Sequence, residues 1–254
     1  MSVLENIIAH DTKLVAVTYT SNALGTRVDL APIIARCQEV GARVLIDAAQ
    51  AASHQKISVA QMGVDFLVFS AHKMLGPTGV GVLYINKRVH HELEPYRRGG
   101  GMVREVFYTH ASWAPMPHML EAGTPPIAQV IGLGAAIDYI AKNVDFTALQ
   151  AHEASLVSCL VQGVGQFSQI KLLGPVQQLI KEGSMVSFTV SGMHAHDVAT
   201  YFDTQGIAVR AGHHCAQPLA RKMGYDASVR VSFYGYNDLS DVTALLAAIK
   251  RLFA

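Results

Sequence analysis

Asp65-Phe66-Leu67-Val68-Phe69-Ser70-Ala71-His72-Lys73 decides how this chain is read, as an apolar run of strand length that ends on a polar, cationic turn. An uninterrupted apolar run from Asp65 to Phe69 fits a strand buried on both faces. Working outward, Leu14-Val15-Ala16-Val17-Thr18-Tyr19 and Arg43-Val44-Leu45-Ile46 read the same way. Val80 to Ile85 forms another strand after the Gly76-Pro77-Thr78-Gly79 turn. Between the first two strands the pattern predicts a helix from about Leu30 to Val40, with Asp29 as its N-cap and Gly41 as its stop. Apolar strands alternating with helices predict an α/β fold, a mixed, mainly parallel sheet with helices on both faces.

A long helical section then runs from Pro126 to about Phe167, broken near Asn143-Val144-Asp145. Beyond it, strand candidates Met185–Val190, Ile207–Arg210 and Val229–Phe233 alternate with helices at about Asp197–Thr204 and Pro218–Met223. A closing helix spans Asp241 to Phe253, with Val242, Leu245, Leu246, Ile249, Leu252 and Phe253 on one face. The change of texture divides the chain into a large domain over residues 1–145 and a smaller C-terminal α+β domain over 146–254.

Composition narrows the function classes. The chain has 254 residues, half of them hydrophobic, and a net charge of +1, so nothing points to nucleic acid or another polyanion. Cys37, Cys159 and Cys215 lie far apart without a Cys-x-x-Cys pair, which speaks against a disulfide framework or a zinc site and for a reducing, cytoplasmic setting. Met1-Ser2-Val3-Leu4-Glu5 shows no basic region leading into an apolar run, so no signal peptide is expected. The most apolar helical stretch, 127–144, contains Gln129, Asp138 and Lys142, and reads as a core helix with no membrane span expected.

Two strand ends carry the chemistry. Asp47 follows Val44-Leu45-Ile46 at the carboxyl end, where parallel sheets place ligand-binding groups, although an Asp there also serves as a helix N-cap. Lys73 follows the strand 65–69, where burial would desolvate the amine, lower its pKa and free it for Schiff-base chemistry. Lysine alone is most often an exposed loop residue. A carboxylate at one strand end and an amine at the next are what pyridoxal 5′-phosphate (PLP) requires, since the carboxylate keeps the pyridine nitrogen protonated. Cys215 stands apart from Cys37 and Cys159, which fall on amphipathic helical patterns. It sits in a polar loop with His213 and His214, between a strand and a helix, where imidazoles and a helix N-terminus would depress a thiol pKa. A metal site at His213-His214-Cys215 is the weaker reading, because adjacent residues rarely converge on one ion.

Four segments together carry a family resemblance: Asp47-Ala48-Ala49-Gln50, Ser70 to Gly79 (SAHKMLGPTG), Glu121-Ala122-Gly123-Thr124-Pro125, and Arg210 to Pro218 (RAGHHCAQP). They resemble the cysteine desulfurases of the Suf/Csd type, the selenocysteine lyase-like group of class-V, fold-type-I PLP enzymes, in order and approximate spacing over nearly the whole chain. The resemblance implies that Lys73 holds PLP as a Schiff base, Asp47 pairs with the pyridine nitrogen and Gln50 meets the phenolic oxygen. Ser70 and His72 would hold the phosphate, joined by Thr124 from the second subunit of a homodimer. Asn22 and Arg230, with Arg210 nearby, would hold the carboxylate of L-cysteine, and Cys215 would accept its sulfur. A sulfur-acceptor protein feeding iron–sulfur cluster assembly is the implied partner, and selenocysteine an implied second substrate.

One departure matters. The family pattern begins with roughly 150 further residues, about one domain's length, which would supply the first strands, a phosphate-binding turn and a ring-stacking histidine. Without them the reading expects the C-terminal part of a desulfurase, split, truncated or partial, that binds PLP poorly alone; a split-gene subunit active only with a separate N-terminal chain is one alternative. The rival expectations are an inactive remnant or another class-V aminotransferase or lyase, which would share Asp47 and Lys73 but not the Cys215 loop.

Overall fold

The computed structural model describes residues 3–254; Met1 and Ser2, which open the stretch read for a signal peptide, lie outside the described residues. Two compact units emerge. The first comprises residues 1–17, 30–53 and 57–143, and the second residues 18–29, 54–56 and 144–254.

The first unit is built on a four-stranded sheet, β1 (Leu14–Thr18), β2 (Arg43–Asp47), β3 (Phe66–Ser70) and β4 (Gly81–Ile85), in that spatial order. β2 and β3 run parallel, with Asp47 level with Val68, while β4 returns antiparallel, with Gly81 opposite Ser70. The sheet is therefore mixed, as expected. Around it lie α1 (Val3–Ile7), α2 (Ala31–Val40), the one-turn α3 (Val59–Met62), the hairpin of β5 (Val103–Val106) with β6 (Ala111–Trp113), and α4 (Ile127–Asn143). Val44, Ile46 and Leu67 on the central strands and Ile34 and Cys37 on α2 are buried, which is the apolar payload the strand and helix periodicities predict.

Asp65, 2% exposed, fixes the leading end of β3. Its Oδ2 accepts the Val44 N–H at 2.9 Å and its Oδ1 accepts Arg88 Nε–H at 2.8 Å. Arg43 stands 3.7 Å from the same Oδ1 and makes a forked bond to Glu92. That bond to Glu92 raises the Arg43 pKa and lowers the Glu92 pKa. A buried carboxylate satisfied by a backbone donor and a guanidinium is stable where an unpaired one is not.

The second unit is an antiparallel sheet in the order β7 (Ile170–Leu173), β8 (Met185–Val190), β10 (Ser228–Ser232), β9 (Arg210–Gly212). Its helices are α5 (Phe146–Val164), α6 (Val176–Glu182), α7 (Ala195–Thr204), α8 (Gln217–Met223) and α9 (Leu239–Leu252). Leu156, Leu160, Phe188, Phe202, Val229, Val242 and Ile249 form one buried cluster. Asp145 caps α5 and Asp238 caps α9 in a reciprocal capping box with Asp241. Gly163 admits Leu246 so closely that a Cβ there would stand 2.4 Å from a Leu246 methyl. The loop 18–29 belongs to this unit. Its Gly25, at φ +74°, has room for no side chain, because a Cβ would lie 2.6 Å from the Met185 carbonyl oxygen.

Several expectations shift. The cap of α2 is Leu30 rather than Asp29; the helix begins one residue later, with a proline in its first turn and no side-chain cap bond, and Gly41 ends it in the left-handed conformation as expected. The strand read at 207–210 is instead Arg210–Gly212, because its ladder with β10 begins only where Arg210 meets Arg230. Ile207 and Val209 pack against the core without strand pairing. The pair β5–β6, strand β7 and helix α6 were not anticipated.

Replacing Asp65 by Asn should lower the unfolding free energy by about 2 kcal/mol, the scale of losing hydrogen bonds to a charged group. Urea unfolding followed by far-UV circular dichroism measures it, and an unchanged midpoint would contradict the anchoring role.

Candidate active site

In the first unit the parallel pairing of β2 and β3 puts Asp47 and the Ser70–Lys73 turn at the same carboxyl edge of the sheet. Neighbouring strands lie about 4.8 Å apart, so groups at adjacent strand ends can address one small ligand. Asp47 is exposed, and its Oδ1 accepts the Ala49 N–H at 2.9 Å. The residues that follow form turns, not a helix, and the next helix is capped by Ser58. Asp47 is thus an Asx-turn residue with a carboxylate oxygen to spare, and the helix-cap alternative falls away. Gln50 lies three residues on in those turns, half-buried.

Ser70 ends β3, and Ala71–Lys73 form a single 3-10 turn. The Ala71 carbonyl accepts the N–H groups of Met74 and Gly76, and the Ala71 N–H reaches the Val80 carbonyl, so the turn is held from both sides. Gly76 is required there, since a Cβ would stand 2.9 Å from the Ala71 carbonyl oxygen. His72 and Lys73 are both exposed. The expected burial of Lys73 is not met within this chain, because the lysine stands on the turn beyond the strand and not within its covered part. Among the described residues no ion pair or hydrogen bond occupies its amine. Thr124 is exposed on the loop 121–126, which is tied through Gly123 to the Gly100 carbonyl rather than to the Lys73 turn.

The donor set at this edge suits PLP. A free primary amine can take an aldehyde, a carboxylate with a spare oxygen can hold a pyridinium, and a hydroxyl and an imidazole at a turn can meet a phosphate. What it lacks by itself is cover over the lysine.

In the second unit Arg210 and Arg230 face each other directly across β9 and β10. Like charges placed opposite one another repel, and burial and then Arg210 lower the Arg230 pKa. Arg230 donates from Nη1 to the Asn22 carbonyl at 2.7 Å, while its buried Nε has no partner. No carboxylate pairs with either arginine among the described residues. The planar guanidinium fork is a group that can take a carboxylate by two parallel hydrogen bonds.

Beside this pair runs the loop of Cys215, which is exposed. His214 and Cys215 both adopt left-handed backbone, at φ +53° and +59°. Each non-glycine residue in that region costs roughly 1–2 kcal/mol, so the surroundings must hold the turn. Asn22 Nδ2–H donates to the His214 carbonyl at 2.5 Å, and the His214 ring meets the Ser228 hydroxyl at 3.1 Å. Burial lowers the His214 pKa, as do Arg230 and His213, with a contact to the Ser228 backbone opposing them. The ring is therefore neutral near pH 7. No three His, Cys, Asp or Glu side chains cluster to hold a metal ion among the described residues, and no helix there is long and apolar enough to cross a membrane.

Sequence reasoning missed Ser228, which is fully buried, and the pair formed by Glu153, 2% exposed, with His54 at 2.7 Å. Both left a trace, namely a polar residue at an inward position of an otherwise apolar strand or helix face.

A family model described as aminotransferase class-V matches residues 1–245. A probable cysteine desulfurase of Streptomyces coelicolor is 40% identical over 252 residues, covering 99% of this chain and 60% of the relative. The cysteine desulfurase CsdA of Escherichia coli, solved as the S-sulfonic acid, superposes with a TM-score of 0.92 at 35% identity over 99% of this chain and 61% of that one. A lysine-to-alanine variant of C-DES, with glycine covalently linked to the PLP cofactor, superposes with a TM-score of 0.80 at 25% identity over 96% of this chain and 62% of that one. The chain thus spans about 60% of the length of the curated relatives it matches.

Under native conditions iodoacetamide should modify Cys215 first. Cys37 is fully buried, and burial followed by Asp65 raises its pKa, so it should react only on unfolding. Peptide mass spectrometry of a time course reads the order; early labelling of Cys37 would contradict it.

Proposed function

We propose, for a chain that belongs to the aminotransferase class-V family, the activity of a PLP-dependent cysteine desulfurase, converting L-cysteine to L-alanine and leaving the sulfur on Cys215 as a persulfide. The activity is proposed for the protein to which these residues belong, since they span about 60% of the relatives' length. The observation that carries it is an exposed thiol on a strained turn in the same compact unit as two facing arginines, neither of which pairs with a carboxylate among the described residues. An aminotransferase needs the arginines but has no use for the thiol.

PLP, when bound, supplies an electron sink for the electron pair left at the amino acid's Cα. Lys73 would hold the cofactor covalently and, once displaced by the substrate amine, take the α-proton on Nζ. Asp47 would keep the ring nitrogen protonated and Gln50 would meet the phenolic oxygen. Ser70 and His72 would bind the phosphate, with Thr124 of a second subunit. Arg230, Arg210 and Asn22 would bind the substrate carboxylate; the unpartnered Nε of Arg230 supports that role. The Cys215 thiolate then attacks the substrate sulfur. The S–S bond forms as the Cβ–S bond breaks, the bond's electron pair goes to the carbon fragment, and protonation of that fragment yields alanine.

Exposure of Cys215 supports onward transfer of the sulfur to an acceptor protein, with iron–sulfur cluster assembly as the destination, and selenocysteine is a second substrate of the same chemistry. Exposed Ile127, Val130 and Ile131 on α4 support association as a homodimer. The free cysteines fit a reducing cytoplasm. Residues up to 145 would form part of the PLP-binding large domain, and 146–254 the small domain with the cysteine loop.

Two variants of the PLP-loaded protein test this reading. Cys215→Ala should lose at least ~100-fold in sulfide release while keeping the cofactor's visible absorbance; Lys73→Ala should lose the covalent link, seen after borohydride reduction as cofactor that gel filtration in denaturant removes, whereas the unsubstituted protein retains it. Full sulfide release by Cys215→Ala would leave a lyase that needs no thiol nucleophile, and the desulfurase reading would fall.

A further inference from the structure

The left-handed turn at His214 and Cys215 needs something to hold it, and Cys215 does not hold itself, for its side chain is exposed. His213 is exposed as well, whereas His214 is half-buried. His214 is bound at two places. Its carbonyl accepts Asn22 Nδ2–H at 2.5 Å, and its ring meets the hydroxyl of Ser228 at 3.1 Å. Ser228 is fully buried in β10, opposite Gly212 of β9, whose carbonyl accepts the same hydroxyl at 3.5 Å. The next backbone bond, from Ala216 N–H to the His213 carbonyl at 2.9 Å, closes the turn immediately before α8. Ser228 thereby joins the loop to the paired strands that also carry Arg210 and Arg230.

We propose that His214 is a positioning residue for Cys215, and that the bond between its ring and Ser228 holds the turn in the conformation that presents the thiol. The proposal rests on Cys215 being the sulfur acceptor, but the clamp itself can be measured without that reaction. A neutral ring suits the task, since a cationic one would stand between Arg230 and His213. Asn22 couples the two halves of the arrangement, because its carbonyl accepts Arg230 while its amide holds His214. A loop fixed in this way keeps its thiol in register with the arginine pair, so losing the clamp should slow sulfur transfer without weakening the hold on the carboxylate.

The experiment uses Ser228→Ala and His214→Asn in the protein, the second chosen because asparagine tolerates left-handed backbone. Amide hydrogen exchange of a peptide spanning 210–219 should quicken by at least about tenfold in both, while a peptide from β8 in the same unit stays unchanged. In the PLP-loaded protein, kcat for sulfide release should fall by about tenfold or more, with KM for L-cysteine within about twofold. Ser228→Thr, which keeps the hydroxyl, should restore slow exchange and kcat. Unchanged exchange at 210–219 in both variants would overturn the clamp, as would exchange rising equally throughout the unit, which would mark Ser228 as a packing residue only. If Ser228→Ala does not fold, His214→Asn decides alone by the same two readouts. Absence of sulfide from the unsubstituted protein would sink the desulfurase reading and leave the exchange result to judge the clamp.

Discussion

The parallel alignment of β2 with β3 is the constraint on which the first unit's chemistry depends, because it puts two strand ends of unlike chemistry on one edge. Asp47 stands level with Val68, so the Ser70–Lys73 turn projects just beyond the carboxylate. Had β3 run antiparallel to β2, the lysine turn would lie at the other end of the sheet. The register is fixed from behind by Asp65, which binds the Val44 N–H of the neighbouring strand and the guanidinium of Arg88. A buried ionic anchor of this kind makes a one-residue slip costly, since a slip would strand the carboxylate without its donors.

The second unit solves a different problem. Two arginines opposed across an antiparallel pair repel one another, and with burial this lowers the Arg230 pKa. Next to them the chain enters a left-handed turn at two residues that are not glycine. Strain of this sort persists only where the surroundings over-determine it, and here Asn22 and Ser228 supply the determining bonds.

Membership in the aminotransferase class-V family gives these two sites a common context. The lysine edge offers the groups that hold a PLP cofactor, yet leaves Lys73 exposed. The second unit sets two facing arginines and an exposed thiol near one another in the chain. Each set is chemically coherent by itself, and the carboxylate, amine and thiol make a stronger statement together than any one of them. The buried Glu153–His54 pair and the close Gly163–Leu246 approach lie within the packing of the second unit.

Local sequence determined β1 to β4, β8, β10 and most helices, but not β5, β6 or β7, because apolar periodicity and turn residues act over a few positions. It also singled out Asp47 and Lys73 at strand ends and Cys215 in its polar loop, while Arg230 entered only through the family resemblance. It could not choose between a helix cap and a ligand for Asp47; the turns that follow β2 removed the helix cap. It placed the α2 cap one residue early, and it began β9 too soon because that boundary is set by the ladder with β10. Only the tertiary structure showed that Arg210 faces Arg230, that Ser228 reaches His214, and that Lys73 is exposed. The physical reason is common to all three: strand register and burial are properties of what packs against a residue, and a linear sequence does not contain those neighbours.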